Sequence, residues 1–284
     1  MQTVKSLDML RKSLAELRAD GSSIGLVPTM GALHEGHLTL VREARAMCDH
    51  VVASIFVNPT QFGPNEDLDA YPRQLAEDSS MLDSEGVALL WAPAIETMYP
   101  HGFVTNISVS GVSEGFCGAS RPGHFDGVAT VVCKLFNQVM PDVAFFGEKD
   151  FQQLAVIRAM ARDLDLTRPH VEDIIGVPTV RESDGLAMSS RNRYLSPENR
   201  AAAAALPNAM QLAIAEIEAG QSPSVSLQTL QRVLLESGFD SVDYAALVDA
   251  KSLNPIDSFL GRPARLLVAA RIGGTRLIDN MQVG

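Results

Sequence analysis

Cysteine is scarce: Cys48, Cys117 and Cys133 are the only three in 284 residues, and none belongs to a CxxC pair. This excludes a disulfide-stapled secreted scaffold and the common dithiol and zinc motifs, leaving reduced thiols that pack. Basic residues are few as well, 23 Lys and Arg against 34 Asp and Glu, for a net charge of -11. That balance opposes a nucleic-acid partner with a broad footprint, while a local positive site for a small anion remains open. No apolar run reaches membrane-span length, and the first residues carry Asp8 and lead into a helical pattern where a signal core would be. Membrane insertion and secretion are therefore not expected, and a cytoplasmic location is. Internal repeats and low-complexity tracts are missing too. What is present is 46% apolar and 20% charged residues, enough to bury a large core in one big domain or two smaller ones.

The hydrophobic pattern alternates between two periods. Val4, Leu7, Leu10, Leu14 and Leu17 write an amphipathic helix that Gly21 can end, and residues 24–27 then read as a strand. A helix through Leu38, Leu40, Val41 and Ala44 precedes a strand over 51–57, and a helix over 72–82 with Pro72 near its start precedes a strand over 87–91. A long segment over 123–139 contains a helix, 143–146 is a strand, and 152–164 is a helix. Strands alternating with helices predict an α/β fold with a parallel sheet. After Pro178 the pattern changes: a helical run from Pro197 to Ile217, a break at Gly220–Pro223, a helix over 225–235, and strands over 244–248 and 266–272. Gly273-Gly274 reads as a tight turn before Arg276-Leu277-Ile278. The expectation is a first domain over 1–180 and a smaller α+β domain over 181–284 that closes over the site.

Four segments carry chemistry-bearing residues beside these elements. Pro28-Thr29-Met30-Gly31-Ala32-Leu33-His34-Glu35-Gly36-His37 joins a strand to a helix start. Glycines permit close approach, helix-start N–H groups can face an anion, and imidazoles three residues apart share a face. A plain βα turn with surface histidines fits the same residues. Phe56-Val57-Asn58-Pro59-Thr60-Gln61-Phe62-Gly63 offers uncharged donors and acceptors at a strand end, suited to a hydroxyl- or carboxylate-bearing molecule, or else to a turn with a capping residue.

Gly147-Glu148-Lys149-Asp150-Phe151-Gln152-Gln153 follows another strand. Lys149 can neutralise phosphate, Asp150 can receive ribose hydroxyls or hydrated magnesium, and Gln153 can orient a second substrate; a solvated helix cap is the alternative. Met188-Ser189-Ser190-Arg191-Asn192-Arg193 places hydroxyls and guanidinium groups in one loop that can close on a polyphosphate, or that simply joins domains. Open α/β sheets place ligands beyond strand ends of this kind. The small-residue stretch Gly115–His124 reads either as a lid that excludes water or as a surface loop, and Cys117 has no adjacent base that would make it a nucleophile.

These segments, with Arg121-Pro122-Gly123-His124-Phe125-Asp126-Gly127-Val128 and Pro178-Thr179-Val180-Arg181-Glu182, resemble the pantothenate synthetase (pantoate-beta-alanine ligase) family along nearly the whole chain. The resemblance implies a Rossmann-like nucleotidyltransferase domain, a smaller C-terminal domain and a homodimer. His34-Glu35-Gly36-His37 stands at the HIGH-like signature of class I aminoacyl-tRNA synthetases and Met188–Asn192 at the KMSKS-like one, without its lysines. The implied activity is ATP-dependent condensation of pantoate with beta-alanine through pantoyl adenylate, giving pantothenate, AMP and diphosphate. Nucleotidyl transfer to another small acidic substrate is the alternative.

By the same resemblance, His34, His37, Lys149, Ser189, Ser190 and Arg191 handle the phosphates, with Mg²⁺ held mainly by ATP oxygens. Asp150 lies near the ribose or the metal, and Pro28, Thr29, Gly36, Gly147, Val177, Val180 and Met188 help place the nucleotide. Gln61 and Gln153 clasp pantoate, Met30 lines its pocket, Asn58 lies close by, and Arg121 and His124 add polar contacts.

Overall fold

The computed structural model describes residues 1–64 and 66–284. Two compact units divide them: Met1–Ser113, Arg121–Glu148 and Gln153–Pro178 form one, and Glu114–Ser120, Lys149–Gln152 and Thr179–Gly284 form the other.

The first unit is built on a parallel sheet of β1 (Gln2–Val4), β2 (Ile24–Thr29), β3 (His50–Ile55), β4 (Leu89–Trp91), β5 (Val143–Gly147) and β6 (Ile174–Val177), in the order β1-β4-β3-β2-β5-β6. From β2 the chain winds outward through β3 and β4, then returns to lay β5 on the other side of β2. The switch point of the winding therefore lies between β2 and β5, where open α/β sheets bind ligands beyond the strand carboxyl ends. The crossovers include α1 (Leu7–Leu17), α2 (Glu35–Met47), α3 (Leu75–Ser84), the short α4 (Ile95–Met98), and α6 (His124–Val139), which is preceded by α5 (Cys117–Ser120) and followed, after β5, by α7 (Phe151–Asp163).

The central strands are apolar runs because helices cover a doubly wound parallel sheet on both faces. Ile24, Leu26, Val27, Val51, Val52, Ala53, Ala144 and Phe145 are all buried. Leu40, Val41 and Ala44 of α2 pack with Val27, Val51, Ala53, Leu82, Leu90 and Phe145.

Several boundaries differ from the sequence expectation. Val4, expected to open a helix, instead lies in β1 opposite Trp91, and Ser6 caps α1 by accepting the Met9 N–H. Helix α3 starts at Leu75 and not near Pro72; Arg73 spends its guanidinium on the Leu68 and Asp69 carbonyls, which folds the preceding loop back. The four-residue β6 was not anticipated, and Gly176 interrupts its short apolar run.

The second unit pairs β7 (Ser241–Asp249), β8 (Ala264–Ile272) and β9 (Thr275–Val283) as an antiparallel meander. Gly273 and Gly274 connect β8 to β9 with φ of 54° and 77°, the doubly left-handed geometry of a tight hairpin turn that glycine adopts without strain. Helices α8 (Pro197–Ala203), α9 (Ala205–Glu218) and α10 (Pro223–Glu236) belong to this unit. Leu206, Met210, Ala213, Ile217, Leu230 and Leu234 pack with Leu266, Val268, Ala270 and Ile272 in one core. The single helical run expected from Pro197 to Ile217 is broken at Ala204. Pro207 explains the break: without an N–H it cannot bond the Ala203 carbonyl, so a continuous helix would lose a rung and meet the ring.

Candidate functional site

The residues singled out in the sequence fall into two sets. Pro28, Thr29, Met30, His34, Gly36, His37, Asn58, Gln61, Arg121, His124, Gly147, Gln153 and Val177 belong to the first unit. Lys149, Asp150, Val180, Met188, Ser189, Ser190 and Arg191 belong to the second.

In the first unit, β2 ends at Pro28-Thr29, at the switch point. Pairing of β2 with β5 involves Gly25 and Leu26 only, so the missing N–H of Pro28 costs no rung on that side. Thr29 ties the end of the strand down: its Oγ1 donates to the Ser54 carbonyl at 2.9 Å and accepts the Gly31 N–H at 3.1 Å. The chain then turns through Gly31 (φ 82°) and Ala32 (φ 51°). Asp78, a carboxylate only 1% exposed, accepts the N–H groups of Ala32 and Leu33, each at 2.9 Å, and an N–H of the Gln74 amide at 3.3 Å.

His34 and His37 cap the helix that follows. The Gly36 N–H donates to His34 Nδ1 at 3.2 Å, the His34 N–H donates to His37 Nδ1 at 3.3 Å, and the ring centroids are 4.1 Å apart. Because both Nδ1 atoms accept, each neutral ring carries its proton on Nε2 and is a donor there. The histidine spacing read in the sequence thus serves the helix start.

Asn58 and Gln61 lie in and before the 3₁₀ turn Pro59–Gln61. Asn58 is 1% exposed; its Nδ2 donates to Gln61 Oε1 at 2.9 Å and to the Gly127 carbonyl at 3.1 Å. Its Oδ1 accepts from Thr60 Oγ1 and from the Tyr99 hydroxyl, both at 2.9 Å. Asn58 is therefore the brace of this turn, and its bond engages the accepting end of Gln61, Oε1, so that Nε2 is that side chain's donating end. Gly127 on α6 makes the brace possible: a Cβ there would stand 2.4 Å from the Thr60 carbonyl oxygen.

Arg121 and His124 reach the same turn. Both donate toward the Gln61 carbonyl, Arg121 NH2 at 3.2 Å and the His124 ring Nδ1 at 2.8 Å. Arg121 also forks onto Glu66, Nε to Oε1 at 2.7 Å and NH2 to Oε2 at 2.6 Å. Burial pushes the Glu66 carboxyl up, but the Arg121 hydrogen bond and charge outweigh it and hold the group below its ordinary range.

In the second unit, Lys149 and Asp150 occupy the 3₁₀ turn Glu148–Asp150 directly after β5, with Nζ 3.8 Å from Asp150 Oδ2. Val180 and Met188 close a short hairpin, the Met188 N–H donating to the Val180 carbonyl at 3.0 Å, with a bridge between Arg181 and Ala187. Ser189 caps the following 3₁₀ turn Ser190–Tyr194 by accepting the Arg191 N–H at 3.3 Å. Asn192 fastens that turn to the hairpin through Glu182 Oε1 at 2.9 Å and the Ala187 carbonyl at 3.1 Å.

The stretch read as lid or loop is divided between the units, Glu114–Ser120 in the second and Arg121 onward in the first. Gln152 clamps its first part, accepting the Cys117 N–H at 3.0 Å and donating to the Gly115 carbonyl at 2.8 Å. Cys117 Sγ lies 3.1 Å from the Tyr244 hydroxyl, with Arg276 3.6 and 3.7 Å away.

Sequence reasoning missed the supporting residues: Asp78, Tyr99, Glu66, Asp279 and Asn280. For the last two a signal exists, two polar residues inside the apolar strand Leu277–Met281. For Asp78 none does, since its two backbone partners lie 45 and 46 residues away in the chain.

A doubly wound parallel sheet with a histidine-capped helix start at its switch point defines the first unit as an α/β nucleotide-binding type of fold, and the family comparison places the chain among ATP-using ligases. The family model for pantoate-beta-alanine ligase matches residues 2–282, and the chain belongs to that family. Pantothenate synthetase of Novosphingobium aromaticivorans is 69% identical over 284 residues, covering 100% of this chain and 99% of the relative. That of Rhizorhabdus wittichii is 61% identical over 283 residues, with the same coverage. The crystal structure of pantothenate synthetase from Thermus thermophilus superimposes with a TM-score of 0.92 at 47% identity, covering 100% of this chain and 99% of that one. Pantoate-beta-alanine ligase from Francisella tularensis, complexed with beta-gamma ATP and beta-alanine, gives 0.83 at 33% identity, covering 99% and 97%.

Proposed function

We infer that this chain is an ATP-dependent ligase that joins pantoate to beta-alanine. The observation that carries the reading is the match of the ligase family model from residue 2 to residue 282. The ATP and beta-alanine ligands of the Francisella tularensis neighbour support it. In the first half-reaction a pantoate carboxylate oxygen attacks the α-phosphorus of ATP and diphosphate leaves. In the second, the beta-alanine amine attacks the acyl carbon of pantoyl adenylate, AMP leaves, and the nitrogen sheds its proton. Both nucleophiles belong to substrates, so the protein's task is to align them and to stabilise developing phosphoryl charge.

For this task we assign the Nε2 donors of His34 and His37, together with Lys149, Ser189, Ser190 and Arg191, to the triphosphate. The capping bonds that fix the histidine tautomers support the first pair. Gln61 and Gln153 take pantoate oxygens, beside Met30, Arg121 and His124, with Asn58 bracing Gln61. Pro28, Thr29, Gly36, Gly147, Val177, Val180 and Met188 shape the nucleotide's surroundings. Mg²⁺ fits as a companion of the nucleotide. It favours phosphate oxygens with one or two carboxylates, and we assign Asp150, beside Lys149, as the carboxylate that would serve. Among the described residues no group of three or more His, Cys, Asp or Glu forms a cage. When bound, the ion would neutralise charge on the leaving diphosphate.

The deciding experiment follows diphosphate and AMP separately. Pantoate alone should release diphosphate from ATP in one turnover, and AMP should follow only when beta-alanine is added. Diphosphate release without any amine-dependent step would favour nucleotidyl transfer, which is not the favoured reading. We further assign a homodimer and a cytoplasmic location, the latter supported by three free thiols; sedimentation equilibrium showing monomer over a wide concentration range would reject the dimer.

A further inference from the structure

Strand β9 carries two polar residues, Asp279 and Asn280, where its neighbours build a core, and each is only 3% exposed. A buried amide is retained only with its hydrogen bonds made, and an aliphatic residue would fill such a strand position without that requirement. Two of the bonds that Asn280 makes go to groups with a common purpose. Its Nδ2 donates to the backbone carbonyl of Lys149 at 2.9 Å, and its Oδ1 accepts from Arg265 NH1 at 2.9 Å. The Arg265 guanidinium in turn lies 4.1 Å from the centroid of the Phe151 ring. The Lys149–Phe151 turn is thus gripped at the carbonyl of its lysine and at the ring two residues on, from neighbouring strands of one sheet.

At its other end the Lys149 ammonium faces Asp150 at 3.8 Å, and that carboxylate is 47% exposed, so the ion pair holds it weakly although the lysine side chain itself is only 20% exposed. The anchor at the Lys149 carbonyl therefore adds to what sets the ammonium's position. We propose that Asn280 is a positioning residue for adenylation, acting through the Lys149 carbonyl to hold the lysine in register with the α-phosphate as charge develops. The proposal rests on the phosphate role assigned to Lys149 above.

The test is a cycle of variants read by single-turnover formation of pantoyl adenylate at saturating ATP and pantoate, with circular dichroism and thermal unfolding on each protein. Asn280→Asp removes the donor to Lys149 but keeps an acceptor for Arg265, and Asn280→Leu removes both without adding charge. Displacement of a reacting group by about an ångström costs up to roughly a hundredfold, so each variant should slow adenylation by roughly tenfold to a hundredfold while remaining folded. In a Lys149→Ala background the same substitutions should change the residual rate by less than about twofold, because groups acting as a unit are not additive. A merely structural role would give equal losses in both backgrounds, and that result overturns the proposal. So does a folded Asn280→Asp protein that adenylates at the parental rate. If Asn280→Leu does not fold, Asn280→Asp decides alone. Lys149→Ala itself adenylating at the parental rate would instead remove the lysine assignment, which keeps the two failures apart.

Discussion

Arg181 and Asp279 form a two-pronged ion pair, NH1 to Oδ2 at 2.7 Å and NH2 to Oδ1 at 3.0 Å, with the carboxylate fully shielded from solvent. Arg181 also donates to the Gly185 and Asn280 carbonyls, so one guanidinium joins the Val180–Met188 hairpin to β9. Removing one partner of such a pair strands a buried charge, so Asp279→Ala should cost about 3–5 kcal/mol in urea unfolding. The double variant Arg181→Met with Asp279→Leu should recover most of that loss. Additive losses would mean that the pair itself is not the source.

Gly127 and the Asn58–Gln61 turn are in closer contact than any side chain allows. A Cβ at residue 127 would lie 2.4 Å from Thr60 O, 2.6 Å from Thr60 C and 2.9 Å from Gln61 N, all backbone atoms without a rotamer to change. Gly127→Ala must therefore push the turn off α6, at about 1–3 kcal/mol. Because Gln61 moves with the turn, the KM for pantoate should rise by more than the KM for ATP. Steady-state kinetics varying each substrate in turn would check this, and equal changes in both would disconnect the turn from pantoate.

The sheet and its helices were legible where periodicity is strong. Residues 24–27 and 143–146 are continuous apolar runs and became β2 and β5, which set the switch point. Strand β1 was illegible because Val4 is its one buried residue, and an isolated buried valine continues a helical stripe as readily as it opens a strand. The histidine pair could be read as sharing a face, but not that each ring would accept a backbone N–H of the helix start. Asn58 was read as a polar group near the ligand, and its bracing of the Pro59–Gln61 turn was not legible, because its partners Tyr99 and Gly127 come from distant segments. Asp279 and Asn280 stand out as polar residues inside an apolar strand, though not with their partners, whereas the long-range backbone contacts of Asp78 are announced by no local pattern.

Asp78 tests how far one buried carboxylate governs the turn between β2 and α2. Its two oxygens receive two successive backbone N–H groups, those of Ala32 and Leu33, holding Ala32 at a φ of 51° that a side-chain-bearing residue seldom adopts. Asp78→Asn replaces one acceptor with an NH₂ that faces an N–H, so a buried donor loses its partner at about 1–3 kcal/mol. Amide hydrogen exchange at Ala32 and Leu33 should quicken more than exchange in β3. Single-turnover adenylation should fall as His34 loses its placement. Unchanged exchange at those two amides would show that the turn holds itself.

Tyr244 links the chain's stability to alkaline pH. Burial, followed by the neighbouring Cys117 and its hydrogen bond, raises the phenol well above the ordinary tyrosine range, against the lowering influence of Arg276. The folded protein therefore favours the protonated phenol, whereas the unfolded chain ionises near its usual pKa of about 10. The sign follows directly. This contribution is complete below that value and is lost as pH rises through it toward the folded-state pKa, because the unfolded chain then releases a proton that the folded one retains. Tyr244→Phe should remove up to about 1.4 kcal/mol per pH unit from the downward slope of unfolding free energy between about pH 10 and pH 11.5. Urea unfolding of both proteins across that range measures the slope. Absorbance titration of tyrosinate should show the latest-ionising phenol of the parent missing from the variant. Identical slopes would mean that Tyr244 ionises alike in the folded and unfolded chains, and that its burial against Cys117 does not hold the proton.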